Sequence, residues 1–135
     1  MVFGAKCMIA SDHAPHGDQE KALAYEKCPN GIIGLETMIP LIYTHFIETK
    51  IASLNDFLNW FVYNPIKVFG LPKRSLEIGY DADLTLLDIN TKRKYTKSEI
   101  VSLGHNSPFI GMEMTGFPKY TLVNGKIVWR DKNEQ

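Results

Sequence analysis

The sequence predicts an α/β fold in which one buried strand and a set of helices precede a small β unit. Three observations carry this prediction. The chain opens on a continuously apolar run, "MVFGAKCMIA" (1–10), of the sort buried on both faces of a parallel sheet. Between Gly34 and Phe69 apolar residues recur at three- and four-residue spacing, the helical period. "YTLVNGKIVW" (120–129) places two strand-like runs around Asn124-Gly125, a pair favoured in two-residue hairpin turns.

In chain order, the opening run stops at Ser11, and residues 11–33 read as loop, rich in polar residues and holding the turn signal "CPNG" (28–31). Leu35, Met38, Ile39, Ile42 and Phe46 then form the apolar face of a helix ending near Lys50, with Pro40 expected to kink it or mark a second start. Ser53 with Asp56 three positions on is a capping-box variant. The helix it opens carries Leu54, Phe57, Leu58, Phe61 and Val62 on one face. Asn64-Pro65 is expected to break it, and a short helix follows to Phe69 with Gly70 as its stop. "ADLTLLDI" (82–89) alternates as a strand does, and "GHNSPFIGMEMTG" (104–116) has the punctuation of an irregular loop. No internal repeat is visible.

Composition sets limits. The chain has 135 residues, 44% hydrophobic and 22% charged, with fifteen Lys+Arg against fifteen Asp+Glu. Zero formal charge argues against nucleic acid or an anionic membrane as the main partner. The one basic run, "TKRKYT" (91–96), reads as a solvated loop. Cys7 and Cys28 lack metal-type spacing; Cys7 reads as a small buried side chain and Cys28 as a loop residue. With no signal-peptide pattern and no long apolar run, a reducing cytoplasm is the expected setting.

One strand followed by helices is a single β/α unit and does not close a sheet. A (β/α)8 TIM barrel needs about 250 residues, so the chain reads as the tail of something larger. At the C-terminal end of a barrel strand, where catalytic groups sit, the sequence places "SDHAPH" (11–16). There Asp12 could ligate a divalent metal with one oxygen and take a proton from water with the other. His16, after a stiffening Pro15, could offer an N–H to an anion, and Gly31 could let a backbone N–H approach a ligand closely. By spacing alone an Asp-His pair at a strand end is more often a loop cap than a ligand. His13 reads as bonded within its loop, and Glu36 as a helix-dipole residue. His45 and His105 read as structural, and Trp60 and Phe61 as core or interface.

"SDHAPH" followed by "EK" and then "CPNGIIGLETMIPLIY" (28–43) resembles the dihydroorotases of the longer, bacterial-type class, cyclic amidohydrolases of pyrimidine biosynthesis. "NPIKVFGL" (64–71), "EIGYDADLTLLDI" (77–89), "NSPFIGMEMTG" (106–116) and "YTLVNGKIVW" (120–129) fit in the same order, so the resemblance covers essentially the whole chain. The β-rich tail is common to many amidohydrolases; the Asp-His-Ala-Pro-His run is the specific part. Related hydantoinases and allantoinases tend to lack its closing His. The resemblance implies that Asp12 is the catalytic Asp, a zinc ligand and the proton shuttle. It implies that His16 binds the substrate carboxylate, and that Asn30 and Gly31 contact the ring through their backbone. In the family a metal-bridging hydroxide attacks the ring amide of dihydroorotate, and the reverse reaction cyclises N-carbamoyl-L-aspartate.

The family's His-x-His pair, bridging residue, further metal histidines and Arg/Asn clamp match nothing in this chain. The expectation is therefore a C-terminal segment: residues 1–71 ending the amidohydrolase barrel, and residues 72–135 forming part of a small β-sandwich satellite domain. Such a segment is expected to be inactive alone, with one or two zinc ions held mostly by ligands outside it. A homo-oligomer is expected, and some dihydroorotase-like chains associate with aspartate transcarbamoylase as non-catalytic partners. The alternatives are a non-catalytic, dihydroorotase-like scaffold or binding module, and a hydantoinase- or allantoinase-type amidohydrolase.

Overall fold

The computed structural model describes residues 7–72 and 75–132. A short helix α1 (Asp18–Lys21) sits inside the long loop, its first turn closed by the Glu20 carboxylate, which accepts from the Gly17 N–H at 3.0 Å. Helix α2 (Leu35–Ile42) contains Pro40 and runs without a second start into a wider-wound stretch, Tyr43–Glu48. Helix α3 (Leu54–Leu58) begins as the sequence predicts. Ser53 Oγ accepts from the Asp56 N–H at 3.1 Å, and the Asp56 carboxylate accepts from the Ser53 N–H at 2.9 Å. It continues through another wide stretch, Asn59–Tyr63, into α4 (Asn64–Phe69), which Gly70 ends in the left-handed conformation at φ 62°.

Asn64-Pro65 does not break this helix: Asn64 keeps helical angles (φ −70°, ψ −43°). Proline is tolerated because it falls in the first turn of α4, after the hydrogen-bond spacing has widened. The buried faces also differ from the expected ones. Thr37, Pro40 and Tyr43 are the buried positions of α2 and its extension, while Leu35 is exposed. In α3 and its extension Phe57 and Trp60 are buried, and Leu54, Leu58 and Val62 are exposed. Aromatic contacts explain the rotation. Phe57 meets Tyr43 edge-on at 6.0 Å and Phe61 at 4.6 Å, and Phe46 meets Trp60 edge-on at 6.0 Å. Large rings at these positions draw the helices together more strongly than aliphatic side chains on the neighbouring face.

Strands β1 (Leu84–Asp88), β4 (Phe117–Val123) and β5 (Lys126–Arg130) form an antiparallel sheet in the order β1-β4-β5. Leu84 pairs with Leu122 and Asp88 with Phe117 across a bulge at Leu86/Leu87. The β4–β5 turn is Asn124-Gly125 with φ 50° and 74°, both positive as a type I′ hairpin requires. A two-stranded ribbon joins β2 (Arg93–Lys94) to β3 (Glu113–Met114).

This ribbon corrects one expectation. "TKRKYT" is not a solvated loop: Tyr95 is 1% exposed and forms a core cluster with Met114 and Phe117. Arg93 lies 3.7 Å over the Phe117 ring and pairs with both Glu99 and Asp131, the latter at 3.3 Å. A basic side chain here lays its stem on apolar surface and keeps its head among carboxylates. Leu41 of α2 packs against the same cluster, and Thr44 Oγ1 accepts from the Thr115 N–H at 2.9 Å, so helices and ribbon share one interior.

The predicted opening strand does not form in its described part. Residues 1–6 lie outside the described residues, and residues 7–10 are irregular. The Cys7 carbonyl accepts from Asn64 Nδ2 at 2.6 Å, and the Ile9 N–H donates to the Trp60 carbonyl at 3.4 Å. A strand exists by laddering to a neighbour. Here helix residues take the backbone groups a ladder would use. Cys7 is consequently exposed, not buried.

Asp88 anchors the turn after β1. Hydrogen bonds from Asn90 and Thr91, with Lys119 Nζ 3.5 Å away, lower its pKa to about 2. A depressed carboxylate stabilises the fold above its ordinary pKa near 3.8, and that stabilisation disappears as pH falls through 2. Asp88→Asn is therefore expected to lower the melting temperature at pH 6, with the gap to wild type closing towards pH 2. A gap that does not change over that range would refute the assignment.

Candidate active site

Asp12 stands at the start of the long loop, exposed, in the left-handed region at φ 47°. That conformation is uncommon for a side chain other than Asn or Asp, and it lifts the carboxylate out of the run of backbone on either side. The bonds around it hold the turn. The His13 N–H donates to Ser11 Oγ at 3.3 Å, and His13 Nδ1 accepts from the Gly34 N–H at 3.1 Å. The Ala14 N–H donates to the Ile32 carbonyl at 2.9 Å. Residues 11–14 thus lie directly against residues 32–34, as the bonded reading of His13 requires.

Gly31 closes the gap between the two halves of the loop. Its φ is 128°, and a Cβ placed there would lie 2.6 Å from the Ala14 carbonyl oxygen and 3.3 Å from the His16 ring. Only glycine permits both the conformation and the approach. The structure therefore brings Gly31 and His16 together. Asn30 is exposed beside them. His16 is half-buried, with Nδ1 3.7 Å from the Glu20 carboxylate of α1.

A second loop supports the first from behind. The Ile33 N–H donates to the Asn106 carbonyl at 3.0 Å, and Asn106 Nδ2 donates to the Gly31 carbonyl at 2.9 Å. At Gly104 an added Cβ would lie 2.9 Å from the His16 carbonyl oxygen. His105 Nδ1 lies 3.1 Å from both Asp18 carboxylate oxygens. His105 is thus structural, as expected, and its partner is α1.

For zinc, the fit is partial. Among the described residues no group of three or more His, Cys, Asp or Glu side chains converges as a metal site would require. Asp12 offers one carboxylate, and His16 faces Glu20 instead of Asp12's turn. These residues do not themselves make a zinc centre.

A larger cavity lies elsewhere. It measures about 620 Å³ and opens between α2 and the sheet, lined by Leu35, Glu36, Tyr95, Phe117 and Trp129 among others. Glu36 is more than a helix-dipole residue there. Its Oε1 accepts from the N–H groups of Val101 and Ser102 (3.2 and 2.8 Å) and from Ser102 Oγ (2.6 Å). Burial raises its pKa, and these bonds outweigh the burial, leaving it below the ordinary value. Burial, reinforced by the Glu36 charge, pushes the Tyr95 hydroxyl up to about 12. The Asp12 turn faces open surface. Behind it, Ile9, Ser11, Gly34 and Phe109 line a cavity of only about 200 Å³.

Comparison with known proteins places this arrangement. The model of the amidohydrolase family matches residues 2–128. The chain belongs to the amidohydrolase family. It is 43% identical to a dihydroorotase of Halalkalibacterium halodurans over 132 residues, covering 98% of this chain and 31% of that relative. It is 42% identical to a dihydroorotase of Geobacillus sp. (strain WCH70), covering 99% and 31%. The chain therefore spans less than a third of the length of the curated relatives it matches. Among solved structures it superposes on D-hydantoinase from Bacillus sp. AR9 with a TM-score of 0.83 at 30% identity, covering 93% of this chain and 29% of that one. Dihydropyrimidinase from Brevibacillus agri NCHU1002 gives 0.83 at 27% identity, with the same coverage. This fold is accordingly that of a portion of an amidohydrolase, and the resemblance read from "SDHAPH" and "PNGIIG" agrees with the relatives found.

Three residues of this amidohydrolase chain escaped the reading of its sequence: Lys21, Asn106 and the tertiary role of Glu36. Lys21 and Asn106 lie inside quoted motifs, but a motif names positions without saying which carbonyl a side chain will reach. Gly31→Ala is expected to destabilise the chain by about 1–3 kcal/mol, the cost of a strained backbone together with a clash at Ala14. Chemical denaturation reads this directly; an unmoved midpoint would mean that the turn yields freely.

Proposed function

We propose that this chain is the C-terminal segment of a dihydroorotase, supplying the catalytic carboxylate and substrate loop of an enzyme that interconverts dihydroorotate and N-carbamoyl-L-aspartate. Its residues 1–71 belong to the end of a (β/α)8 barrel and residues 72–135 to part of a satellite β domain. The observation that carries the reading is the juxtaposition of an exposed Asp12 turn, His16 and Gly31 within one hydrogen-bonded loop. Identity of 43% to a dihydroorotase supports it.

In this reading Asp12 handles the proton. Its carboxylate takes a proton as water adds to the ring amide carbon, and returns it to the nitrogen as the C–N bond breaks; one group serves as base and then as acid. His16 donates an N–H to the substrate carboxylate, and the backbone N–H groups of Asn30 and Gly31 meet the ring. Zinc, which the resemblance implies, would increase the electrophilicity of the amide. Asp12 would be one of its ligands, the rest coming from outside the described residues. The 135-residue chain is accordingly expected to be inactive by itself.

The hydantoinase-type structural neighbours favour a second reading within the same chemistry, hydrolysis of a neutral five- or six-membered cyclic amide. His16 separates the two, because it is matched to an anionic substituent that a hydantoin lacks. Assays of the protein carrying this chain, with dihydroorotate and with hydantoin side by side, test the proposal. Dihydroorotate should be preferred. Asp12→Ala should cut turnover by about three orders of magnitude or more. His16→Ala should chiefly raise KM for dihydroorotate. Turnover close to wild type in Asp12→Ala, or preference for hydantoin, would overturn the reading.

A further inference from the structure

The turn Pro29-Asn30-Gly31 is held by its carbonyls. Lys21 Nζ, at the end of α1, donates to the Pro29 carbonyl at 2.8 Å and to the Gly31 carbonyl at 3.2 Å. Asn106 Nδ2 reaches the same Gly31 carbonyl at 2.9 Å from the other loop. Two side chains 85 positions apart thus converge on one oxygen, and one of them also grips the carbonyl on the far side of Asn30. Among the described residues, the N–H groups of Asn30 and Gly31 meet no acceptor. Each peptide unit is planar, so the held Pro29 carbonyl fixes the Asn30 N–H of the same unit, and the Asn30–Gly31 peptide, which carries the Gly31 N–H, is bracketed by two held units. The turn that carries both N–H groups is therefore held at either end.

We propose that Lys21 and Asn106 are positioning residues for substrate binding, holding the Pro29-Asn30-Gly31 turn so that its two free N–H groups face an anionic or carbonyl-bearing ring. This rests on the reading above, in which Asn30 and Gly31 contact substrate through their backbone. Lys21 adds a second effect. Its ammonium withdraws electron density from the Pro29–Asn30 and Gly31–Ile32 peptides, which strengthens the Asn30 N–H as a donor, and charge-assisted bonds of this kind are stronger than neutral ones. Asn106 ties the turn to the β unit, and its main-chain carbonyl independently fixes Ile33. Removing only its side chain leaves that second tie in place.

The test is steady-state kinetics with dihydroorotate on the protein carrying this chain, comparing wild type, Lys21→Met, Lys21→Arg, Asn106→Ala and the Lys21→Met/Asn106→Ala pair. Loss of one such hydrogen bond predicts a KM raised about 3- to 10-fold in Lys21→Met and in Asn106→Ala, with kcat within twofold of wild type. Lys21→Arg, which retains a cationic donor, should restore KM most of the way. The pair should fall short of the product of the two single effects, because both donors serve one acceptor. A purely structural role would lower melting temperature and active fraction, and hence kcat, while leaving KM unmoved. That outcome, or unchanged KM in an active wild-type background, overturns the assignment of Lys21 and Asn106 alone. A wild type that fails to open the dihydroorotate ring overturns the functional reading and this inference with it. Should Asn106→Ala not fold, the Lys21→Met and Lys21→Arg comparison decides the matter.

Discussion

Everything at the site depends on where the carbonyl of Gly31 points. It receives Lys21 from its own loop and Asn106 from the β unit. The next peptide, Ile32–Ile33, is bonded to Ala14 through its carbonyl and to Asn106 through its N–H. A backbone oxygen has two lone-pair directions, and here both are used. With that oxygen fixed, Gly31 must accept an angle other residues avoid, and Ala14 and His16 must come close enough to exclude any Cβ. The Asp12 turn is then carried on a platform held from both loops.

The helix ends and the hairpin turn were largely legible in the sequence because their signals are local. Ser53 with Asp56, Gly70 and Asn124-Gly125 each act within four residues, and each appears as read. The faces of the helices were harder to read. Periodicity shows that a face exists, but the aromatic contacts of Tyr43, Phe57 and Trp60 decide which one turns inward. The opening run and "TKRKYT" failed for a related reason. An apolar run becomes a strand only where a neighbour offers a ladder, and basic residues around a tyrosine become core when carboxylates such as Glu99 and Asp131 lie across from them.

The site divides in the same way. Asp12, His16, Asn30 and Gly31 were named because they occur in a recognisable order, and the structure gathers His16 and Gly31 and leaves Asp12 and Asn30 open to solvent. Lys21 and Asn106 have no pattern of their own. A lysine near a turn and an asparagine in a Gly- and Pro-rich loop are ordinary surface residues until a shared acceptor gives them a task. Glu36 is similar: the helix dipole accounts for a carboxylate in the first turn, but not for three donors arriving from residues 101 and 102.

The tie between Asn106 and Gly31 spans 75 positions of sequence. Contacts so distant along the chain close late, after the entropy of the intervening segment has been surrendered. Helices α2 to α4 and the β4–β5 hairpin can each condense on local contacts, whereas the platform beneath Asp12 waits for both to meet. The loop that carries Asp12 is therefore the last part of this polypeptide to close as it folds, and the first to open when helices and sheet part.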